Sequence, residues 1–252
     1  MRRAAIVAII ALVSTPALAA DMAVKAPVYT APPAAAISSW TGCYVGGNIG
    51  YGWAPTQWST TLGVEFASHT ADGVVGGGQI GCDYQTGAWV FGIQGMFDGS
   101  GMKGESHKVV GALGPDIFDQ SQITWFSTLT GLVGYAIQPT ILLYVKGGVA
   151  WVHDNYQECC LTKPQPIDDG VASETRTGAT VGVGLEYMFL PNWSVFAEYD
   201  FIWLGTRAVT FTPTGLNTGG PFVYDIGQNV QMVLAGVNYH FGGAASGPVN
   251  RY

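Results

Sequence analysis

Few residues of this chain have the types and spacing that catalysis would need. His69 and His107 fall in polar segments, and His153 lies at the end of an apolar one. No serine and carboxylate stand at a recognisable spacing from them, as a nucleophilic triad would require. The glycine-rich residues 46–50 are only superficially like a nucleotide-binding loop, because no helical segment follows them. The sequence therefore predicts neither an enzyme nor a bound cofactor, with a lipid-trimming esterase as the weaker alternative.

Four cysteines are the next candidates for chemistry. The N-terminal residues indicate export, and disulfides persist in oxidising compartments. Cys43 and Cys82 lie near the same ends of two neighbouring predicted strands, on the same face, so we expect a disulfide between them. Two separate thiols are the alternative, since a disulfide needs Cα atoms within about 7 Å. Cys159 and Cys160 could form a vicinal disulfide or a metal pair, but no Cys-x-x-Cys spacing or histidine cluster predicts a metal site.

Seven ionisable residues fall on the face of the predicted strands that alternation assigns to the interior. Buried charges must be paired with an opposite charge or hydrated. The set predicts an internal plug of ion pairs and water, and a gated path for ions or protons is the alternative. The seven residues are Asp98, Lys146, Arg176, Glu186, Glu198, Asp200 and His240.

The segments that would position these groups alternate with period 2, as residues 193–203 illustrate. The odd-numbered residues are apolar and begin and end on Trp193 and Trp203, whereas the even-numbered ones are mixed. Period 2 indicates a strand. Ten residues of strand span about 33 Å. Tilted by about 45°, that path rises about 23 Å, close to the ~25 Å apolar band of an outer-membrane barrel.

The same alternation recurs in eight segments, joined in turn by short turns and long polar segments. Short turns at one end and long loops at the other are typical of outer-membrane barrels. The sequence therefore predicts an all-β fold, an eight-stranded antiparallel up-and-down transmembrane β-barrel with short periplasmic turns and four long extracellular loops. The predicted strands cover about residues 44–53, 74–84, 89–98, 123–136, 141–153, 175–189, 193–203 and 228–241, and the predicted loops about 54–73, 99–122, 154–174 and 205–227.

Ten aromatic residues mark the two ends of the predicted outward faces. Amphipathic rings favour the two interfaces of a membrane. A soluble barrel with an aromatic core, such as a lipocalin, is the alternative, but its exterior would need many Lys and Glu residues. The long-loop ends carry Trp53, Trp125, Trp151 and Trp203, and the short-turn ends carry Tyr84, Trp89, Tyr135, Tyr187, Trp193 and Tyr239.

Composition and the N-terminus agree with this assignment. Charged residues make up 11% of the chain, against about 25% in a typical soluble domain. Arg2 and Arg3, the apolar run after them and Ala17-Leu18-Ala19 predict a signal peptide over residues 1–20. Without those two arginines, the ten basic residues fall to eight against 17 acidic ones, which argues against a nucleic-acid partner. We expect a Pro/Ala-rich periplasmic linker over 21–39, the barrel over 40–241 and a C-terminal tail over 242–252.

Three stretches together resemble a known family. They are Trp40–Asn48, Val75–Gly81 and Gly236–Phe241. As a set they resemble the opacity-like outer-membrane β-barrel family of alphaproteobacteria, often named outer-membrane immunogenic proteins or "porin family" proteins. The resemblance implies an eight-stranded barrel inserted by the barrel-assembly machinery, with Phe241 as the terminal aromatic residue of the assembly signal.

The chain also departs from that family's pattern. Members commonly end on the terminal Phe, but this chain continues for eleven residues. Inward arginines are common in the fourth and eighth strands of the family, where this chain has Thr130, Leu132 and Leu234. Cys43 and Cys82 stand where aromatic residues are usual.

The expected function is structural and surface-interacting. Such a barrel would support envelope integrity in the outer membrane of a Gram-negative bacterium and display antigenic loops. Its partners would be outer-membrane lipid and lipopolysaccharide, with extracellular or host ligands reaching the loops. A small diffusion porin or ion channel is the alternative, although eight strands leave little lumen, and a lipid-modifying enzyme is less favoured.

Overall fold

The fold is described from a computed structural model, which covers residues 39–63, 65–109, 116–160, 170–214 and 220–241. The predicted signal peptide, the linker apart from Ser39, and the C-terminal tail lie outside these residues. So do the side chains of Cys159 and Cys160, whose pairing therefore stays a prediction.

Antiparallel strands form a closed ring. In chain order they are β1 (Gly42–Thr60), β2 (Glu65–Thr86), β3 (Trp89–Ser100), β4 (Lys103–Val109), β5 (Asp116–Gln138), β6 (Ile141–Cys160), β7 (Gly170–Leu190), β8 (Trp193–Pro213) and β9 (Phe222–Phe241).

Sequential strands are neighbours except β3 and β4, and β1 pairs with both β2 and β9, which closes the ring. β4 continues the line of β3 after Gly101 and Met102, and it pairs with β2 and β5. The ring therefore has eight positions, one of them filled by two strands, which confirms the predicted barrel. In the described part of the chain no helix has the length and apolarity to cross a membrane.

Tight turns close one end of the ring. They lie at residues 87–88, 139–140 and 191–192. Gly87 has a φ of +61°, a left-handed conformation that glycine adopts without steric cost. The short-turn end predicted from the sequence is thus present, and we call it by that name below.

The strands continue well beyond the predicted membrane crossing, which corrects the predicted loop boundaries. β1 runs to Thr60 and β2 begins at Glu65, so the predicted loop 54–73 is mostly strand. The predicted loop 99–122 likewise contains β4 and the start of β5. We call the part of the barrel beyond Trp53, Trp125, Trp151 and Trp203 the extension.

The polarity of the two faces of the wall is inverted in the extension. Ala54, Thr56 and Trp58 are buried inside the barrel, whereas Pro55 and Gln57 are exposed on its wall. An apolar interior under a polar exterior is the arrangement that water on the outside requires. The extension is therefore built like a soluble barrel stacked on a membrane barrel. Its internal apolar cluster is Trp58, Ala67, Tyr156, Ala172, Val209, Phe211 and Ile226.

Two strands change the facing of their side chains where the extension begins. The pairing register shifts between Ile123 and Trp125 in β5, and between Trp203 and Gly205 in β8. Gly205 has a φ of +66°, which a bulge of this kind requires and which favours glycine. As a result Phe211 is buried, although its odd number matches that of the outward Trp203.

Pairing between β7 and β8 lapses within the extension. Val171 pairs with Thr212, and the next registered pair is Ala179 with Trp203. The edges of the two strands between these pairs are not joined by a ladder, so the wall is interrupted there.

Candidate functional site

The ten predicted interface aromatics all lie on the outward face, in two belts. Neighbours within a belt contact each other: Trp89 and Tyr135 meet at 5.3 Å between ring centroids, and Trp193 and Tyr239 at 5.1 Å. Trp125 stacks on His153 at 5.4 Å, at the edge of the extension. The belts mark where each strand would enter and leave a bilayer.

The wall between the belts is apolar and exposed. Ile49, Ile80 and Ile93 are each 64–67% exposed. Single exposed apolar residues are ordinary, but a continuous band of them in water is not. The band therefore requires acyl chains as its solvent.

A disulfide joins Cys43 of β1 to Cys82 of β2. The two residues are directly opposite each other in the register, with Cα atoms 3.9 Å apart. The predicted pairing is confirmed.

A buried ion-pair group lies inside the membrane-spanning part of the barrel. The Lys146 ammonium nitrogen lies 2.5 Å from a Glu198 carboxylate oxygen and 3.1 Å from one of Asp200. It also donates to the Gln94 amide oxygen at 3.1 Å, and the Tyr144 hydroxyl donates to Glu198 at 2.7 Å. One cation is thus shared by two carboxylates out of contact with water. We call these five residues the Lys146 group.

Two glycines on the intervening strand make this group possible. Lys146 and Asp200 both pair with Gly182 of β7, and Tyr144 and Glu198 both pair with Gly184. A Cβ at Gly182 would collide with the Asp200 carboxylate, and one at Gly184 with the Tyr144 ring. Side chains of β6 therefore reach those of β8 across positions where β7 carries none.

Glu186 and His240 form a second buried pair, joined by Ser194, which sequence reasoning had not singled out. His240 Nε2 lies 3.3 Å from Glu186 Oε1 and 2.9 Å from the Ser194 hydroxyl. The Ser194 hydroxyl also donates to Glu186, in a short hydrogen bond. Serine and carboxylate therefore share one ring nitrogen, whereas a catalytic relay uses the two nitrogens separately. The arrangement is suited to cross-linking β7, β8 and β9.

The remaining two predicted interior charges lie elsewhere. Asp98 is fully buried and forms no ion pair in the described part of the chain. Arg176 is buried in the extension, where its guanidinium donates to the backbone carbonyls of Gly205 at 2.8 Å and Ile226 at 3.1 Å. The seven predicted residues thus occupy several separate places in the lumen. Their grouping depends on register between distant strands.

An apolar layer crosses the lumen between the Lys146 group and the extension. Its members come from strands all around the ring except β7, and each is at most 4% exposed. A second apolar cluster, around Trp40 and Leu142, lies at the short-turn end. The main layer therefore closes the lumen with apolar side chains between the Lys146 group and the extension. The main apolar layer contains Ala54, Ala71, Val75, Met96, Met102, Ile123, Phe126, Ala150, Val152, Ile202, Val230, Met232 and Leu234.

Two ionisable groups of the extension have a pKa that differs from its ordinary value. Burial raises the pKa of Asp154 to about 6, against the opposite effects of the Arg176 guanidinium and a hydrogen bond from Gln228. Burial lowers the pKa of His69. Neither lies in a metal-binding set, because no group of three or more His, Cys, Asp or Glu residues in the described ranges could hold a metal ion.

The chain is similar to known outer-membrane proteins. The model of a family described as outer membrane protein beta-barrel domain matches residues 5–241. The 31 kDa outer-membrane immunogenic protein of Brucella melitensis biotype 1 is 30% identical over 259 residues, which cover 96% of this chain and 100% of that protein.

Two solved structures are also similar. Neisserial surface protein A has 17% identity and a TM-score of 0.38, covering 80% of this chain and 98% of that one. OprG of Pseudomonas aeruginosa has 14% identity and a TM-score of 0.46, covering 80% and 97%.

Proposed function

Because this chain belongs to the outer-membrane β-barrel family matched over residues 5–241, we propose that it is a non-conducting barrel with a structural and surface-interaction role. The protein resides in the outer membrane of a Gram-negative bacterium. Its short turns face the periplasm and its extension faces the outside. In this role the membrane part anchors the envelope, and the extension presents a folded polar surface to lipopolysaccharide and to extracellular ligands.

The closed lumen is the observation that carries this proposal. Phe126, Ile202 and Met232 are fully buried inside the ring, in the layer that separates the Lys146 group from the extension. An apolar constriction of this kind opposes the passage of water and ions. Wide pores are built from about 16–18 strands, and this ring has eight positions.

A pore would need polar groups that are free along its path, and those of the Lys146 group are not free. Its ammonium and carboxylates already bind one another. The apolar layer separates this group from the extension and closes the lumen there. These features favour a structural plug over an ion path.

Conductance measurements test the proposal. The mature chain, refolded and inserted into planar lipid bilayers, should give no stable conductance steps, whereas a 16-stranded porin inserted in the same way should. A variant with Phe126→Ala and Met232→Ala thins the apolar layer and should be leakier than the natural chain. Stable steps from the natural chain would overturn the proposal and favour the pore.

We also propose that the protein performs no catalysis on lipid. The shared ring nitrogen of His240 and the complete burial of Ser194 support this. Lipid extracted from membranes with and without the protein should have the same mass distribution. A mass change in lipid A that depends on Ser194 would contradict it.

The last strand supplies a proposed contact with the barrel-assembly machinery. Phe241 ends β9, points outward and is 55% exposed, so its ring is available to a partner protein. Phe241→Ser should lower the amount of assembled barrel in cells several-fold, measured by heat-modifiable migration on gels, and leave refolding in detergent unchanged. Val237→Ser, which also removes an outward apolar side chain of β9, is the control. An equal loss in both variants would point to lipid contact instead of recognition.

A further inference from the structure

A groove of about 580 Å³ lies on the outer wall of the extension, across β5, β6, β7 and β8. This volume is within the range of about 300–1,000 Å³ that small-molecule sites occupy. The walls of the groove are carboxamides and hydroxyls. Its main polar residues are Gln122, Asn155, Gln157, Ser173, Thr210 and Thr212.

The register arranges these side chains in two rows. Gln122, Asn155 and Ser173 are successive cross-strand partners on β5, β6 and β7. Gln157 pairs with Val171, which pairs with Thr212 of β8. Strands lie about 4.8 Å apart and rows two residues apart lie about 7 Å apart. The groove therefore presents a two-dimensional array of polar groups at fixed spacing.

Most of these groups are free to bind a ligand. Within the described ranges, the side chains of Gln122, Asn155, Gln157 and Thr212 have no hydrogen-bond partner in the protein. Carboxamides both donate and accept, and threonine hydroxyls do the same. The array can thus form hydrogen bonds with a ligand that is itself rich in donors and acceptors.

The lapse in pairing between β7 and β8 coincides with the groove. Ala172 and Thr210, which line it, lie in the stretch where the two strands are not joined. From the interior, Arg176 binds the carbonyl of Gly205 on the open edge of β8. Arg176 thus holds the wall together from inside at the place where the ladder between β7 and β8 is missing.

The groove opens sideways, just above the bilayer. Asn155 and Gln157 follow the interface residue Trp151 by four and six residues on β6. At a tilt of about 45° they lie about 9–14 Å beyond the hydrocarbon edge. The headgroup layer is about 5–8 Å thick on each side. The groove therefore faces the chemical groups that extend from the neighbouring lipids beyond their headgroups.

The lining of the groove favours a ligand that is recognised by hydrogen bonds, not by charge. No lysine or arginine lines the groove, and the chain as a whole carries a net charge of −7. Uncharged amides and hydroxyls at fixed spacing suit the hydroxyls of a sugar chain. We infer that this groove binds the saccharide portion of the glycolipids, that is lipopolysaccharide, in the surrounding outer leaflet. The inference rests on the proposed surface role and assigns it a site.

The test uses the full mature chain in detergent micelles and the core oligosaccharide released from rough lipopolysaccharide by mild acid. Calorimetric titration should detect binding, and a variant with Gln122→Ala and Gln157→Ala should bind at least about tenfold more weakly, because two hydrogen-bonding groups are removed. Gln57→Ala is the matched control. Gln57 is an exposed outward amide of β1, four residues beyond Trp53 and outside this groove, so its loss should leave binding unchanged.

A second titration separates the sugar from the lipid as the ligand. Rough lipopolysaccharide should bind more tightly than lipid A, which lacks the core sugars, and only its binding should weaken in the double variant. Equal binding of the two lipids, or an equal effect of Gln57→Ala, would overturn the inference. No binding by the natural chain would also overturn it, and a non-conducting chain in that case would leave the proposed function standing.

Discussion

Lys146→Ala should lower the free energy of unfolding of the barrel by about 3–5 kcal/mol, since removing one partner of a buried ion pair leaves an uncompensated charge. Two carboxylates, those of Glu198 and Asp200, would lose their common cation in a part of the lumen that water does not reach. Both are at most 4% exposed. The expected loss is thus a large fraction of the total stability of a typical domain.

Chemical unfolding in micelles measures this effect, followed by far-ultraviolet circular dichroism and by heat-modifiable gel migration. Lys103→Ala is the control, because Lys103 is exposed and its loss should change stability by no more than about 0.5 kcal/mol. A triple variant with Lys146→Met, Glu198→Gln and Asp200→Asn removes all the charges and should recover most of the loss. A loss below about 1 kcal/mol for Lys146→Ala would mean that water reaches these carboxylates.

Removal of the disulfide should have an effect of similar size. Cys43 and Cys82 are 39 residues apart in the chain, and closing a loop of that length stabilises a fold by up to about 4 kcal/mol through the entropy of the unfolded chain. A variant with Cys43→Ser and Cys82→Ser should unfold at a correspondingly lower denaturant concentration. The natural chain treated with a thiol reductant should approach the stability of the variant. Thiol labelling of both cysteines in the unreduced chain would contradict the pairing.

The membrane-spanning part of the barrel was predictable because lipid and a narrow lumen constrain its two faces in opposite ways. In residues 193–203, for example, the outward side chains must be apolar and the inward ones must fit a lumen of eight strands. The same alternation placed Cys43 and Cys82 on one face of adjacent strands. A local period of 2 was enough for both predictions.

The extension was missed because its pattern is reversed. Trp58 and Tyr156 point inward there, so that polar residues such as Gln57 point outward, and the composition is that of an irregular loop. Gly205 adds a change of facing in the middle of β8 that alternation cannot anticipate. Ala54 and Trp58 on one face, opposite Pro55 and Gln57 on the other, were the signal that could have identified the extension.

Which interior groups meet could not be read from single strands either. Lys146 contacts Glu198 and Asp200 across β7, and this depends on Gly182 and Gly184 lying between them. Such a contact requires the register of three strands to be known together. Arginine is a residue type that commonly forms ion pairs. Arg176 instead donates to backbone carbonyls, because the lapse between β7 and β8 leaves them available.

Two tryptophans point into the lumen, so the tryptophan fluorescence of this chain comes from two different environments. Trp40 and Trp58 are fully buried inside the ring, whereas the other six of the eight tryptophans lie in the belts that face lipid. A quencher attached to acyl chains collides with the six and leaves the two untouched. The fluorescence that remains after such quenching therefore reports on packing at the two ends of the lumen, separately from the surrounding lipid.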